Sequence, residues 1–235
     1  MQQSLHISLY ALLFVFCLLS YGECIAPVNQ EITRTIDATQ AIIRVSIAIK
    51  TENLNKGDSY AFILPKNTSN YLSYLSISRT SKKNEVKDLN ISSQDHIQLT
   101  STKHPSDFIE YKINAPVKDP LLNIQAVFTH MLNPLPKEIA QLEDQLVQLF
   151  DNHYILSPYH TIIQKTIIKL PMSKSIESFT KLQPYSYRGS KLEFGPFKKI
   201  EPYESSPLTV HYVNNNPFAK FSEVIANECL FNTYA

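Results

Sequence analysis

Asp151, His153 and His160 lie close together in the stretch Gln145–Thr161, which reads QLVQLFDNHYILSPYHT. Carboxylate and imidazole groups are common zinc ligands in proteins. If the fold brings the three side chains together, they could hold a metal ion for hydrolysis. The stretch is therefore the first candidate for a reactive centre.

The pattern around these residues predicts two extended strands that meet at a polar corner. Apolar residues of Leu146–Phe150 partly alternate before the corner, and Ser157–Tyr159 closes it with a proline that cannot continue a strand ladder. Strand alternation puts Asp151 and His153 on one face and leaves His160 unconstrained. Because no HExxH or CxxC pattern accompanies them, the sequence favours a hydrogen-bonded corner over a metal site.

Other catalytic patterns are also missing from the sequence. Gly189-Ser190 has no partner glycine that would complete a GxSxG elbow. Cys229 has no histidine nearby in the sequence to activate it, and Glu143-Asp144 falls on the polar face of a possible helix. We therefore expect no catalytic residues, no metal ligands and no bound cofactor.

Composition narrows the class of protein further. The 235 residues carry a formal net charge of +1, with 43% hydrophobic and 18% charged residues, as in an ordinary globular chain. A near-zero charge argues against nucleic acid, which needs a basic face. The 4 glycines lie too far apart to form a phosphate-binding loop.

The first residues have the pattern of a secretory signal peptide. Leu9–Leu19 is an unbroken apolar run, too short to span a bilayer, and small residues before Cys24 suit cleavage after Cys24. Removal of residues 1–24 leaves Cys229 as the only cysteine, so no internal disulfide can form. The alternative is a buried core segment. We expect a lumenal domain held together by its core.

Alternating apolar residues recur along the rest of the chain and predict an all-β antiparallel sandwich. The clearest strand is Ile43–Lys50, in which every second residue is aliphatic. Lys137–Leu149 fits a short helix that passes into a strand, and Gln183–Ser206 reads as a long surface loop with five aromatic residues. Such aromatic residues either mark a binding surface or pin the loop to the core. These five aromatic residues are Tyr185, Tyr187, Phe194, Phe197 and Tyr203.

Asn67-Thr68-Ser69 and Asn90-Ile91-Ser92 match the N-glycosylation acceptor pattern. In a chain that enters the secretory pathway, each match predicts an exposed loop or strand end. The alternative is an unused match, since the pattern is short. We expect glycans on Asn67 and Asn90.

Four segments, in this order, resemble the amino-terminal luminal region of the ribophorin I family. They read VNQEITRTID (28–37), NHYILSPY (152–159), IESFTKL (176–182), and EFGPFKKIEPY followed by VHYVNNNPF within 193–218. The resemblance covers most of the chain beyond the signal peptide, and is loose over 53–142.

The resemblance implies a luminal β-sandwich within the oligosaccharyltransferase of the endoplasmic reticulum. That membrane complex transfers oligosaccharide from a dolichol-linked donor to asparagine in nascent chains. In the family a different subunit carries catalysis and its metal. This chain is then expected to be a non-catalytic accessory subunit that presents substrate proteins and contacts other subunits, including the catalytic one.

The end of the chain departs from the family pattern. Family members continue into a second luminal domain, a membrane span and a cytosolic tail, whereas this sequence stops at Ala235. We expect a signal peptide at 1–24, a sandwich at 25–213 and a truncated second domain at 214–235. With no span of its own, the chain would reach the membrane only through the complex, or be secreted. An independent lumenal metal-dependent hydrolase and an inert soluble glycoprotein fragment remain the alternatives.

Overall fold

The computed structural model describes residues 26–80, 86–88, 91–97, 108–115, 117–137, 145–171 and 176–214. This part of the chain forms strands and one short helix, α1. The strands are β1 (Val28–Asp37), β2 (Ile43–Glu52), β3 (Ser59–Pro65), β4 (Leu72–Thr80), β5 (Val86–Asp88), β6 (Ile91–Ile97), β7 (Phe108–Asn114), β8 (Leu121–Phe128), β9 (Leu132–Leu135), β10 (Gln145–Asn152), β11 (Thr161–Lys169), β12 (Ile176–Phe179), β13 (Tyr185–Arg188), β14 (Lys191–Ile200) and β15 (Pro207–Asn214). Helix α1 is the single turn Lys66–Ser69.

The strands form three sheets, so the predicted all-β class is confirmed. The largest has eight strands in the order β13-β14-β11-β1-β2-β8-β4-β5, and the others are β12-β15-β10-β9 and β3-β7-β6. The described pairs are antiparallel except for β1 with β11, which run parallel. A parallel pair needs a long crossover, and all of the chain from β2 to β10 separates these two strands. We had expected an antiparallel sandwich, and the structure differs from this in one parallel strand pair, β1 with β11.

The core forms because alternate residues of the long strands point to the same face. In β2, Ile43, Val45, Ile47 and Ile49 are buried while their neighbours face outward, which confirms the strand predicted here. They join one continuous cluster with aliphatic and aromatic residues of the other sheets. At about 25 cal/mol for each Å² of apolar surface removed from water, burial of this cluster is the main stabilising contribution.

Several predictions fall partly or wholly outside the described residues. These are the signal segment with its cleavage at Cys24, the acceptor Asn90, the helical half of Lys137–Leu149 and nearly all of the second domain at 214–235. The strand half of Lys137–Leu149 is confirmed, since β10 begins at Gln145. The boundary at 213 and 214 stays a prediction. Across the described ranges, no helix is long and apolar enough to cross a membrane.

The region Gln183–Ser206 is not a long surface loop, and that prediction was wrong. Strands β13 and β14 form a hairpin through the turn Gly189-Ser190 and add to the eight-stranded sheet. Phe194 is fully buried and Phe197 nearly so. The register between β11 and β14 shifts at Gly195 and Pro196, because these two residues of β14 lie opposite the single residue Lys165 of β11. The glycine and proline therefore accommodate a bulge within a strand rather than ending it.

Candidate functional site

The predicted corner lies where β10 ends, and Asp151 there is paired with Arg34 of β1. Arg34 donates from Nη1 to Asp151 Oδ1 at 3.1 Å and from Nη2 to the Asn152 carbonyl. Both side chains are largely buried. Arg34 Nε is buried and has no hydrogen-bond partner among the described residues, and the Arg34 residue lines a small, mainly apolar cavity of about 50 Å³. Asp151 therefore anchors one strand to another sheet.

His153 is buried, and both of its ring nitrogens are engaged. Nε2 lies 2.9 Å from the Thr180 carbonyl, which can only accept, so Nε2 carries a hydrogen. Nδ1 lies 3.0 Å from the Ser206 hydroxyl. The ring also contacts Phe194 edge-on, with centroids 4.8 Å apart. His153 therefore joins the corner to the segments that follow β12 and precede β15.

His160 is exposed and separate from the other two candidates. Its Nδ1 lies 3.2 Å from Glu201 Oε2, and both side chains face solvent. Asp151, His153 and His160 thus have three different sets of partners. Within the described ranges, no three His, Cys, Asp or Glu side chains gather as metal ligands. The partners of Asp151 and His153 confirm the predicted hydrogen-bonded corner.

Sequence reasoning missed a second buried polar network around Asn29 of β1. Asn29 Nδ2 donates to the hydroxyls of Ser157 at 2.9 Å and Thr161 at 3.1 Å. Its Oδ1 accepts from the Tyr60 hydroxyl at 2.9 Å. Burial raises the pKa of Tyr60 well above its usual range, and the nearby Tyr159 adds a smaller contribution in the same direction. The network ties the start of β1 to the far side of the corner, and only its partners in space distinguish Asn29 from an ordinary strand residue.

Two concave surfaces adjoin the corner. An open cleft of about 690 Å³ lies between α1 and the ends of β10 and β15, with the exposed ring of Phe150 on its wall. A smaller pocket of about 170 Å³ is bounded by Glu110, Pro158 and Tyr159. Phe108 and Tyr203 line both surfaces, which makes them neighbours. Of the five predicted loop aromatics, Tyr203 alone lines either of these surfaces in the described part of the chain.

Asn67 lies in α1, exposed, on the wall of the open cleft. Its side-chain oxygen accepts from the Thr68 backbone N–H at 2.8 Å. An exposed acceptor is what enzymatic attachment requires. The glycan itself stays a prediction.

Fold and corner together define a class: an all-β domain whose buried polar residues hold strands from different sheets together. The ribophorin I family model matches residues 27–227. The chain belongs to the ribophorin I family.

Two relatives from Arabidopsis thaliana are dolichyl-diphosphooligosaccharide–protein glycosyltransferase subunits 1A and 1B. Subunit 1A is 32% identical over 236 residues, covering 96% of this chain and 38% of the relative. Subunit 1B is 30% identical over 223 residues, covering 92% of this chain and 47% of the relative. The chain therefore spans less than half the length of these relatives.

Two solved structures show a weak likeness to the chain. An M1 zinc metallopeptidase from Deinococcus radiodurans is 8% identical with a TM-score of 0.40, covering 79% of this chain and 43% of its own. A putative nutrient-binding protein from Legionella pneumophila is 7% identical with a TM-score of 0.42, and the match covers 88% of this chain and 73% of that protein. Likeness at this level carries no argument about function.

Proposed function

We propose that the chain is an accessory component of the oligosaccharyltransferase in the endoplasmic reticulum. In this role it supports protein N-glycosylation by presenting substrate proteins and contacting other subunits, including the catalytic one. The observation that carries the proposal is the family match over residues 27–227. The names of the two Arabidopsis thaliana relatives, subunits 1A and 1B of this transferase, support the same complex.

The roles of the corner residues support a non-catalytic part in the complex. Asp151 holds Arg34 and His153 holds Thr180 and Ser206, so the groups best suited to chemistry are engaged in joining strands. Concave surface is present instead at the open cleft beside α1. A domain with this arrangement is suited to bind polypeptide and position it for another subunit.

Co-purification tests the proposal. The full chain, carrying an epitope tag after Ala235, is expressed in cells, extracted in a mild detergent and captured. We expect the catalytic subunit of the transferase to be retained at a level well above that captured with a tagged luminal protein of unrelated fold. Secretion of the chain into the medium, with no catalytic subunit retained, would contradict the proposal.

A further inference from the structure

The open cleft beside the corner contains both an exposed aromatic ring and a glycan acceptor. Phe150 of β10 is 53% exposed, whereas its neighbour Leu149 is fully buried, so the ring points away from the core. Asn67 is exposed and lines the same cleft, as do the apolar residues Pro65 and Pro207. The cleft volume of about 690 Å³ lies within the roughly 300–1,000 Å³ of small-molecule sites. The cleft is therefore large enough for a sugar, and a sugar acceptor lies in its wall.

Asn67 has a defined position in this wall before any modification. The single turn α1 is closed by the Asn70 backbone N–H and the Ser69 hydroxyl, which donate to the Lys66 carbonyl at 3.2 Å and 2.8 Å. The Asn67 side-chain oxygen accepts from the Thr68 backbone N–H at 2.8 Å, so the turn itself holds the amide group. A sugar joined to Nδ2 of Asn67 would therefore start from a defined point beside the cleft.

Polar groups that suit sugar hydroxyls line the cleft close to the ring. Thr209 of β15 is the strand partner of Phe150, and both residues line the cleft. Asn152 and Ser205 line it as well, and the Ser205 hydroxyl donates to Asn152 Oδ1 at 3.0 Å. Hydroxyl and amide groups can both donate and accept hydrogen bonds, as sugar hydroxyls do. An aromatic ring with such groups around it can take the C–H face of a sugar on the ring and the sugar's hydroxyls at the polar groups.

We propose that Asn67 carries an N-linked glycan whose first N-acetylglucosamine lies against the ring of Phe150 and covers that side of the cleft. Attachment forms a bond from Asn67 Nδ2 to C1 of this sugar and breaks the bond from C1 to the diphosphate of a lipid-linked oligosaccharide. The lipid diphosphate leaves with the bonding electron pair, and the amide nitrogen releases one proton to solvent. The inference rests on the role in the endoplasmic reticulum proposed above, which brings the chain to the transferase that modifies asparagine.

The covalent link favours the glycan over any free ligand at this ring. A sugar tethered to Asn67 stays near Phe150 at an effective concentration on the order of millimolar, so even a weak contact is populated. A free polypeptide would have to displace the sugar to reach the ring. The glycan therefore occupies the Phe150 side of the cleft, and the remainder is left for the substrate chain proposed above.

Fluorescence of an introduced tryptophan tests the inference, because the chain has no tryptophan of its own. Phe150→Trp is produced as the full chain in secretory cells, with and without the second change Asn67→Gln, which removes the glycan. A sugar on one of the two ring faces removes about half of the ring's contact with solvent, so the glycan should reduce quenching by acrylamide about twofold. Tyr74→Trp is the matched control, at a 55% exposed position on β4 outside the cleft, and the glycan should not change its quenching.

Thermal unfolding of the chain with its own phenylalanine provides a second measurement. The glycosylated chain should unfold about 3 °C above Asn67→Gln, as expected for one added aromatic contact in a domain of this size. Phe150→Ser should remove most of this difference, whereas Tyr74→Ser should keep it. Enzymatic trimming of the glycan to its first N-acetylglucosamine should also keep the difference, because that sugar makes the contact.

The possible results separate this inference from the proposed function. Equal quenching of Phe150→Trp with and without the glycan would overturn the inference, and so would a chain that carries no glycan on Asn67. If the glycan reduces quenching but the wild-type chain retains no catalytic subunit, the proposed function is wrong and the inference stands. If quenching is unchanged and Asn67→Gln alone loses the catalytic subunit, the glycan contacts a partner instead and the inference is wrong.

Discussion

Arg34 of β1 and Asp151 of β10 form an ion pair at 3.1 Å that joins the eight-stranded sheet to the four-stranded sheet. The side chains of Arg34 and Asp151 are only 7% and 15% exposed, so neither charge would be fully hydrated if its partner were removed. Removal of one partner from such a pair leaves a buried charge uncompensated, which is costlier than removal of both.

Replacement of Arg34 with methionine should therefore lower the free energy of unfolding by about 3 kcal/mol. The double change Arg34→Met with Asp151→Leu should recover most of that loss. Urea denaturation measures both. The control is Lys165→Met, which breaks a more solvent-exposed pair with Glu193 and should cost under about 1 kcal/mol. Equal losses in Arg34→Met and Lys165→Met would show that the inter-sheet pair has no special role.

His153→Leu should destabilise the protein by about 2 kcal/mol, since the buried imidazole loses its part-buried hydrogen bonds to the Thr180 carbonyl and the Ser206 hydroxyl. His160→Leu, at an exposed position, should stay within about 0.5 kcal/mol. Thermal unfolding compares the two variants. The same samples are analysed for bound metal. A stoichiometric ion that is lost only in His153→Leu would support the metal-dependent hydrolase alternative.

Gly195→Ala should be far more damaging than Gly57→Ala, although both glycines have positive φ, +94° and +92°. A Cβ at Gly195 would lie 2.6 Å from the Gln164 carbonyl oxygen, whereas a Cβ at Gly57 meets nothing within 4 Å. We expect about 3 kcal/mol for Gly195→Ala and about 1 kcal/mol for Gly57→Ala, where strain acts alone. Denaturant midpoints of the two variants provide the comparison, and similar midpoints would argue against a tight bulge in β14.

The ionisation of Glu193 makes the free energy of unfolding depend on pH in the acid range. Hydrogen bonds from Lys165, and then Lys191, lower the pKa of its carboxyl to about 2. A folded pKa below the unfolded one stabilises the protein above about pH 4.5, and this stabilisation is lost as the pH falls towards 2. Because the group faces solvent, we expect only about 1 kcal/mol. Glu193→Gln should therefore differ from wild type at pH 7 and match it near pH 2, and a difference independent of pH would contradict this.

Asn67→Gln should remove one glycan from the chain expressed in secretory cells. Ser69→Ala, which destroys the acceptor pattern and keeps the asparagine, should remove the same glycan. Electrophoretic mobility with and without glycosidase measures the change. Asn55→Gln, outside any acceptor pattern, is the control. If Asn67→Gln and wild type migrate together, Asn67 is not modified.

The sequence predicted most accurately where local pattern and tertiary structure agree. Ile43–Lys50 alternates strictly, so its buried face follows from the pleat of a strand. The corner was likewise predicted to be hydrogen-bonded, because isolated histidine and aspartate residues beside strand ends usually satisfy buried groups. The hairpin of β13 and β14 was missed because Gly195 and Pro196 are strand breakers by propensity, and only the pairing with β11 shows a bulge.

By itself, then, the sequence determined the all-β class, the position of the corner and the family, because these depend on residues near one another along the chain or on a shared pattern. The tertiary structure alone decided which groups meet. Arg34 faces Asp151, and Glu110 faces Tyr159 and Tyr203, across long separations in sequence. Such contacts depend on how the sheets stack and which strands become neighbours, and no local pattern records that arrangement.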